Sequence, residues 1–354
     1  MTLDTSPLTD RIDHRALRAF RRTLPSAVRP RLASVVLPFV FLAFPVVFLA
    51  MVLKGVGFDR VIGDFSSSSV MFLVPVIAMP IIAIALLVRA LRSRNGVRQF
   101  RIDGFARANS FSYAPWSKGP QLPGMIFSRQ GQSSAYSTDV VSREGEPPVT
   151  IANHTLVVGS GKNRTVHRWG YVAIRLTTPL PNIVLDAQKN NEWGRPALPV
   201  ALSAGQRLSL EGDFDRHFAL YCPSGYEADA LYLFTPDVMA KFIDNAAAFD
   251  IEIVDDYLFL YAQGELSTLD PDLWKQLLSV VEILSQRVRQ WERWRDERLD
   301  AEVAGWTGGV VPNSARREGV APQGRRLARR AEWWWVIGGI LAVIGFYNLF
   351  KDIL

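Results

Sequence analysis

Three uncharged apolar runs, Leu32 to Leu53, Val70 to Val88 and Trp333 to Phe350, stand out from a chain in which polar and apolar positions otherwise alternate on short periods. Each run is close to the roughly 20 apolar residues that a helix needs to cross a bilayer, and none leaves the polar face expected of a helix packed on a core. The pattern predicts transmembrane helices at 32–53, 70–88 and 333–350. Pro38 and Pro45 in the first and Pro75 and Pro80 in the second predict kinked, packed spans, because each removes a backbone donor. A transport path is not expected, since no Asp, Glu, Lys, Arg or His lies within a span to hold an ion.

Between the second and third runs the periodicity changes. Short apolar stretches at Phe105 to Tyr113, Met125 to Ser128, Thr150 to Val158 and Trp169 to Leu176 read as strands, and Val172, Ile174 and Leu176 alternate with Tyr171, Ala173 and Arg175 as when one sheet face is buried. Thr235 before Pro236 and Asp237 opens a helix through Ile243. Ile251 to Val254 and Tyr257 to Tyr261 flank Asp255 and Asp256 as a hairpin. Asp270 and Pro271 open a long helix whose Leu273, Leu277, Val280, Leu284, Val288 and Trp291 form one apolar stripe, suited to packing on the sheet. Too few clean heptads make a coiled coil the weaker alternative. The predicted fold class is therefore a membrane protein: transmembrane α-helices plus a cytoplasmic mixed α+β domain with an antiparallel sheet.

The predicted order is a basic N-terminal tail over 1–31, with an interfacial-helix pattern in Asp10 to Leu24, and a first span over 32–53. An external loop over 54–69 and a second span over 70–88 follow. The α+β domain takes 95–300, a flexible basic linker 301–332 and the third span 333–350. Charge bears on orientation. The chain carries a net charge of +6, and much of the arginine flanks the spans, which retains those ends on the cytoplasmic side. The expected membrane-interface residues are Arg29 and Arg31, Arg89 and Arg92, then Arg325, Arg326, Arg329 and Arg330, with Trp333, Trp334 and Trp335 in the headgroup layer. The expected location is the inner (cytoplasmic) membrane, with the amino terminus and main domain in the cytoplasm. Expected partners are anionic lipid headgroups and an unidentified protein. Gly338, Ala342 and Gly345 share a face that would let a second copy approach through the third span. Basic side chains are not interleaved with exposed aromatics in the middle region, so nucleic acid is not an expected partner.

Chemical signatures are sparse. Cys222 is the single cysteine, which forbids an internal disulfide and reads as a small core or loop residue. Gly159-Ser160-Gly161-Lys162 lacks the first glycine and the Ser or Thr of a phosphate loop. Glu211, Asp213, Asp215 and His217 could offer oxygen and imidazole ligands if extended, but read better as a helix start with Asp213 as cap and Phe214 meeting Phe218. His154 and His167 lack metal-ligand spacing, and Asp186, Asn190 and Asn191 fit turns. No catalytic set, cofactor or metal is predicted.

The segment LEGDFDRHFALYCPSGYEADALYLFTPDVM, Leu210 to Met239, carries D-F-x-x-x-F, C-P-x-G-Y-E-x-D-A-L and T-P-D-V-M. With WGYVAIRL and LPNIVLDAQKNN it resembles a family of bacterial, actinobacterial-type polytopic membrane proteins bearing a cytoplasmic domain of unknown function. The resemblance implies a mixed α and β domain and no activity. Two function classes follow. The first is a membrane-tethered interaction or sensing module. The alternative is a membrane-bound, hydrolase-like enzyme using His154, His167 or His217, which would require one of them beside an acid in a closed pocket.

Overall fold

A computed structural model of the chain describes residues 3–28, 96–127, 129–188, 198–200, 202–210, 213–245, 249–304, 320 and 324–328, with helical residues at 43, 78 and 80–85. It divides into two units, Met1–Ser117 and Lys118–Leu354.

In the first unit, α1 (Ser6–Thr9) and α2 (His14–Thr23) precede α3 (Val97–Ala108). Asp13 caps α2 by accepting the backbone N–H of Arg15 at 2.8 Å, which satisfies one of the donors a helix start leaves open. Asn109 ends α3 and ties it to the amino terminus: its Oδ1 accepts from the Asp4 N–H at 2.9 Å and its Nδ2 donates to the Asp4 carbonyl at 2.8 Å. Ile102, Phe105 and Ala106 are fully buried, at the i, i+3 and i+4 spacing of one helix face. The strand expected from Phe105 is thus corrected. Its first residues complete α3, and β1 (Ser112–Lys118) begins only after Asn109.

The second unit is built on an antiparallel sheet of β2 (Gln132–Arg143), β3 (Val149–Val158), β4 (Thr165–Ala187), β5 (Arg207–Leu208), β6 (Phe218–Tyr221) and β7 (Asp250–Gln263). The path runs β2-β3-β4-β6-β5, and β7 pairs with β4. In chain order α4 (Phe214–His217) precedes β6, α5 (Glu227–Leu233) and α6 (Pro236–Asn245) follow it, and α7 (Pro271–Ala304) follows β7. The expected strands at Thr150 to Val158 and Trp169 to Leu176 lie within β3 and β4. Met125 to Ser128 was expected as a strand, but Met125, Ile126 and Phe127 form a turn; Ile126 and Phe127 pack into the aromatic core with Trp169, Tyr171, Phe259 and Tyr261.

The expected Asp255-Asp256 hairpin is also corrected. β7 runs straight through both aspartates and pairs with β4 on each side of them, Tyr257 opposite Arg175 and Ile253 opposite Ile183. Asp255 sits at φ +53°, a left-handed conformation that Asp adopts more readily than most residues, and it marks a break in register rather than a reversal. The alternation read in β4 is only partial: Tyr171 to Ile174 are all buried, because β4 is covered on both faces there, and Arg175 alone points out.

The α7 helix packs on β4 and α5. Its Leu277, Val280, Leu284, Val288 and Trp291 are buried, so most of the predicted stripe faces the domain's own core; at its start Trp274 is buried in place of the expected Leu273, which is half-buried. Each such side chain contributes about 1.5–3 kcal/mol by leaving water. Asp270 caps its start, accepting from the Asp272 N–H at 2.9 Å.

The transmembrane part of the predicted fold class is corrected as well. Among the described residues no helix is long and apolar enough to cross a membrane. The longest, α7, has 34 residues, about 51 Å at 1.5 Å per residue, but charged side chains such as Lys275 and Glu282 are exposed along it. The described architecture is α+β, dominated by antiparallel sheet. Nearly all of 32–53, 70–88 and 333–350, with Trp333, Trp334, Trp335, Gly338, Ala342 and Gly345, lies outside the described residues.

Candidate functional site

The histidines singled out in the sequence fall in three separate places. His154 is on β3, 1 % exposed, its Nδ1 3.2 Å from the Ser137 hydroxyl and its ring edge-on to Phe127. His167, on β4, lies 3.1 Å from an Arg129 amino group. His217 ends α4. None of them bonds a carboxylate among the described residues. Glu211 is outside those residues, as are Asn190 and Asn191, and no described group of His, Cys, Asp and Glu gathers to hold a metal ion. Asp213 occupies the cap position of α4 but makes no side-chain cap bond; Asp215 turns back to accept from the Leu210 N–H at 3.2 Å. Phe214 and Phe218 do stack, with centroids 5.0 Å apart. Asp186 is buried in β4. Cys222 is buried, and burial together with Glu227 pushes its thiol up to about 11, so it stays protonated and unreactive at neutral pH.

Burial also holds the His154 imidazole down, to about 4, so it is neutral in the folded chain. Because the unfolded chain takes up that proton near pH 6.5, this contribution to stability is complete above pH 6.5 and is lost as pH falls towards 4, roughly 3 kcal/mol in all. Urea unfolding at pH 7.5 and at pH 4 should show that extra loss in the parent relative to His154→Gln. Equal losses in the two would contradict the assignment.

A different cluster carries more organised polar geometry. Where β4 pairs with β7 and β6, a groove holds residues 324–328, which bend at Arg325 and Arg326. Leu327 is buried against Val184 and Leu198, with Met125, Leu202 and Tyr221 around it. Its N–H donates to Asn182 Oδ1 at 2.8 Å. Asn182 is itself buried on β4 and fixed by donating from Nδ2 to the Ile253 carbonyl at 2.8 Å. The Ala328 N–H donates to Gln206 Oε1 at 2.8 Å, and the Ser203 N–H donates to the Ala328 carbonyl at 3.2 Å. Arg326 forms a two-pronged pair with Asp255, at 2.7 and 2.8 Å, the planar match that guanidinium and carboxylate make best. Gly324 lies so close to Tyr226 that a Cβ there would sit 2.4 Å from the ring. Main-chain groups of the segment are thus read by side chains, one apolar side chain fills a pocket, and one charge is matched.

Behind this groove lies Glu252, on β7 and 5 % exposed. Its Oε2 accepts from the Met125 N–H at 2.8 Å and the Tyr261 hydroxyl at 2.7 Å. Burial pushes its carboxyl up, against the pull of those donors, of Arg326 and of Asn182.

Of the residues expected at a membrane interface, Arg325 and Arg326 are described: Arg325 donates from Nε to the Val320 carbonyl at 3.0 Å, and Arg326 pairs with Asp255. Arg29, Arg31, Arg89, Arg92, Arg329 and Arg330 lie outside the described residues. Asn182, Gln206 and Asp255 were not singled out as a site. The one available signal was an Asp pair in the middle of an apolar β stretch, read above as a turn.

No family model matches the chain, and no curated protein does. Among solved structures the chain is similar to the crystal structure of the mycobacterial trehalose monomycolate transport factor A, TtfA, at 11 % identity over 53 % of this chain and 92 % of that one, with a TM-score of 0.35. Likeness at that level carries no functional argument.

Proposed function

We propose that the second unit is an interaction module whose groove captures a segment bearing an arginine followed by a leucine, and that the chain's own residues 326–328 occupy it. The observation that supports this is the clamp itself. Asn182 and Gln206 place side-chain acceptors on successive backbone N–H groups, while the Val184 and Leu198 pocket and Asp255 select the side chains. A partner segment would compete with the internal one, so affinity is set by the difference between the two.

The test is a labelled peptide spanning residues 320–328, followed by fluorescence anisotropy. In the full chain carrying Leu327→Asp, which ejects the internal segment from its apolar pocket, the peptide should bind saturably; the parent, with its groove filled, should bind at least tenfold more weakly. Circular dichroism confirms that the variant is folded. Equal binding to parent and variant, or none to a folded variant, would sink the reading.

A further inference from the structure

The floor of the groove is acidic. From Ile183 onward β4 and β7 keep a regular register, with Val184 opposite Glu252 and Leu185 opposite Ile251, so side chains there alternate between the two sheet faces. Val184 packs against Leu327, which identifies the groove face. The alternation then puts Asn182 and Asp186 of β4, and Asp250 and Glu252 of β7, on that same face. Asp186, Asp250 and Glu252 are 2 %, 0 % and 5 % exposed. Three buried carboxyls thus share the face on which the segment brings in Arg326.

The charged and titratable groups around Glu252 come from several strands and from the segment. Tyr261, on β7, is pushed well up by burial and by Glu252, so its hydroxyl keeps its proton and serves as a donor. Asp250 and Asp186 add like charge, which in a dry site favours leaving a proton on one of the acids. Asp250 also accepts from the Ala187 N–H at 2.9 Å. Farther along the face, Tyr221 on β6 is raised by burial and by Asp186, against the pull of Arg207. The cation that acts on Glu252 is Arg326. Arg326 is raised in turn by its hydrogen bonds to Asp255 and, less, by Glu252. One arginine therefore answers to two acids, Asp255 in direct contact at the rim and Glu252 in the floor.

Given the capture proposed above, we infer that it is an exchange: a basic segment enters as a proton leaves the acid floor at Glu252, so the groove selects arginine-bearing partners near neutral pH and releases them as the solution turns acid. Met125, Tyr261 and Asn182 hold Glu252 from within the unit and stay when the segment leaves, so burial still disfavours its charge while the attraction of Arg326 is gone. Glu252 then gives up its proton at a higher pH with the groove empty than with it filled. By linkage, affinity is full above the empty-groove value, which exceeds the ordinary 4.5, and declines as pH falls through it.

The probe is the 320–328 peptide, capped at both ends so that arginines are its sole charges. The full chain carries Leu327→Asn, which empties the pocket without adding a titrating group. Between pH 8 and pH 5.5, a range in which His154 stays neutral, anisotropy should show affinity falling at least threefold. Calorimetry within that fall, in two buffers of different ionisation enthalpy, should show net proton release on binding. Adding Glu252→Gln, which keeps an acceptor for Met125 and Tyr261, should flatten the fall to less than twofold. The peptide carrying Arg326→Gln should bind more weakly and vary less than twofold with pH, and this comparison leaves the floor unaltered. Binding that is constant across the range, or that releases no proton, overturns the exchange and leaves capture standing. So does an equal fall for both peptides, or one that survives in a folded Glu252→Gln chain. No binding at any pH overturns capture, and the exchange with it.

Discussion

Replacing Asn153 by alanine should destabilise the second unit by about 4 kcal/mol. Asn153 sits on β3, 6 % exposed, opposite Gly170 of β4. Its side chain does the work of a missing strand. Nδ2 donates to the Ser267 carbonyl at 2.9 Å, and Oδ1 accepts from the Leu266 N–H at 2.8 Å and the Ser267 N–H at 3.1 Å. Alanine would remove one hydrogen bond from each of three backbone groups of a buried loop, at about 1–3 kcal/mol each, less what water recovers by entering. The loop cannot shift towards β4 to compensate. Gly170 already lies so close that a Cβ on it would be 2.6 Å from the Leu266 nitrogen. Equilibrium urea unfolding of parent and variant measures the loss, and a change below about 1 kcal/mol would show that the three bonds do not hold the loop.

Trp274→Ala should cost a similar amount, about 4 kcal/mol, by a different route. Trp274 is fully buried at the start of α7, and its indole Nε1 donates to the Thr268 carbonyl at 2.8 Å. Truncation removes most of the transfer free energy of the largest side chain and leaves a cavity, a combination that runs to about 3–5 kcal/mol. It also frees the Thr268 carbonyl. Because Asn153 and Trp274 secure the two ends of one short loop, the double variant should lose less than the sum of the two. Thermal and urea unfolding of the four chains would give the coupling directly. Full additivity would mean that the two residues act on independent structures.

These two residues also show where sequence reading succeeds and where it stops. The α7 stripe was legible, since Leu277, Val280, Leu284, Val288 and Trp291 recur at helical spacing and only one face can be buried. So were β3 and the middle of β4, where β-branched and aromatic residues run together. Asn153 was not legible, because a polar residue inside a strand looks alike whether it faces water or closes a loop 113 residues away. The Phe105 stretch was misread because its apolar residues fit both periods over so short a length, and the burial of Ile102, Phe105 and Ala106 decided for helix. Asp255 and Asp256 gave a turn signal that β4 overrode: a long partner strand pairs on both sides of them and absorbs the irregularity as a break in register.

The site was less legible than the fold. Histidines and acids drew the search, because their chemistry is recognisable from residue type, yet His154 is packed among aromatics and His167 and His217 lie elsewhere. The groove is made of ordinary residues, Asn182, Gln206, Ser203 and Asp255, drawn from three segments. Only the folded sheet places them along one line. The arginines at 325 and 326 were noticed for their charge, but charge alone does not say that Arg326 meets Asp255 in a planar pair.

The most direct test of the groove is a double-mutant cycle on that pair. Asp255→Asn keeps a residue that tolerates the left-handed backbone at this position and removes the charge. Combined with Leu327→Asp to empty the groove, it is titrated with the 320–328 peptide and with the same peptide carrying Arg326→Gln. The predicted coupling is roughly 1 kcal/mol, or about fivefold in affinity, as suits a half-exposed bidentate pair. Two peptides that bind both chains with unchanged ratios would contradict capture in the groove.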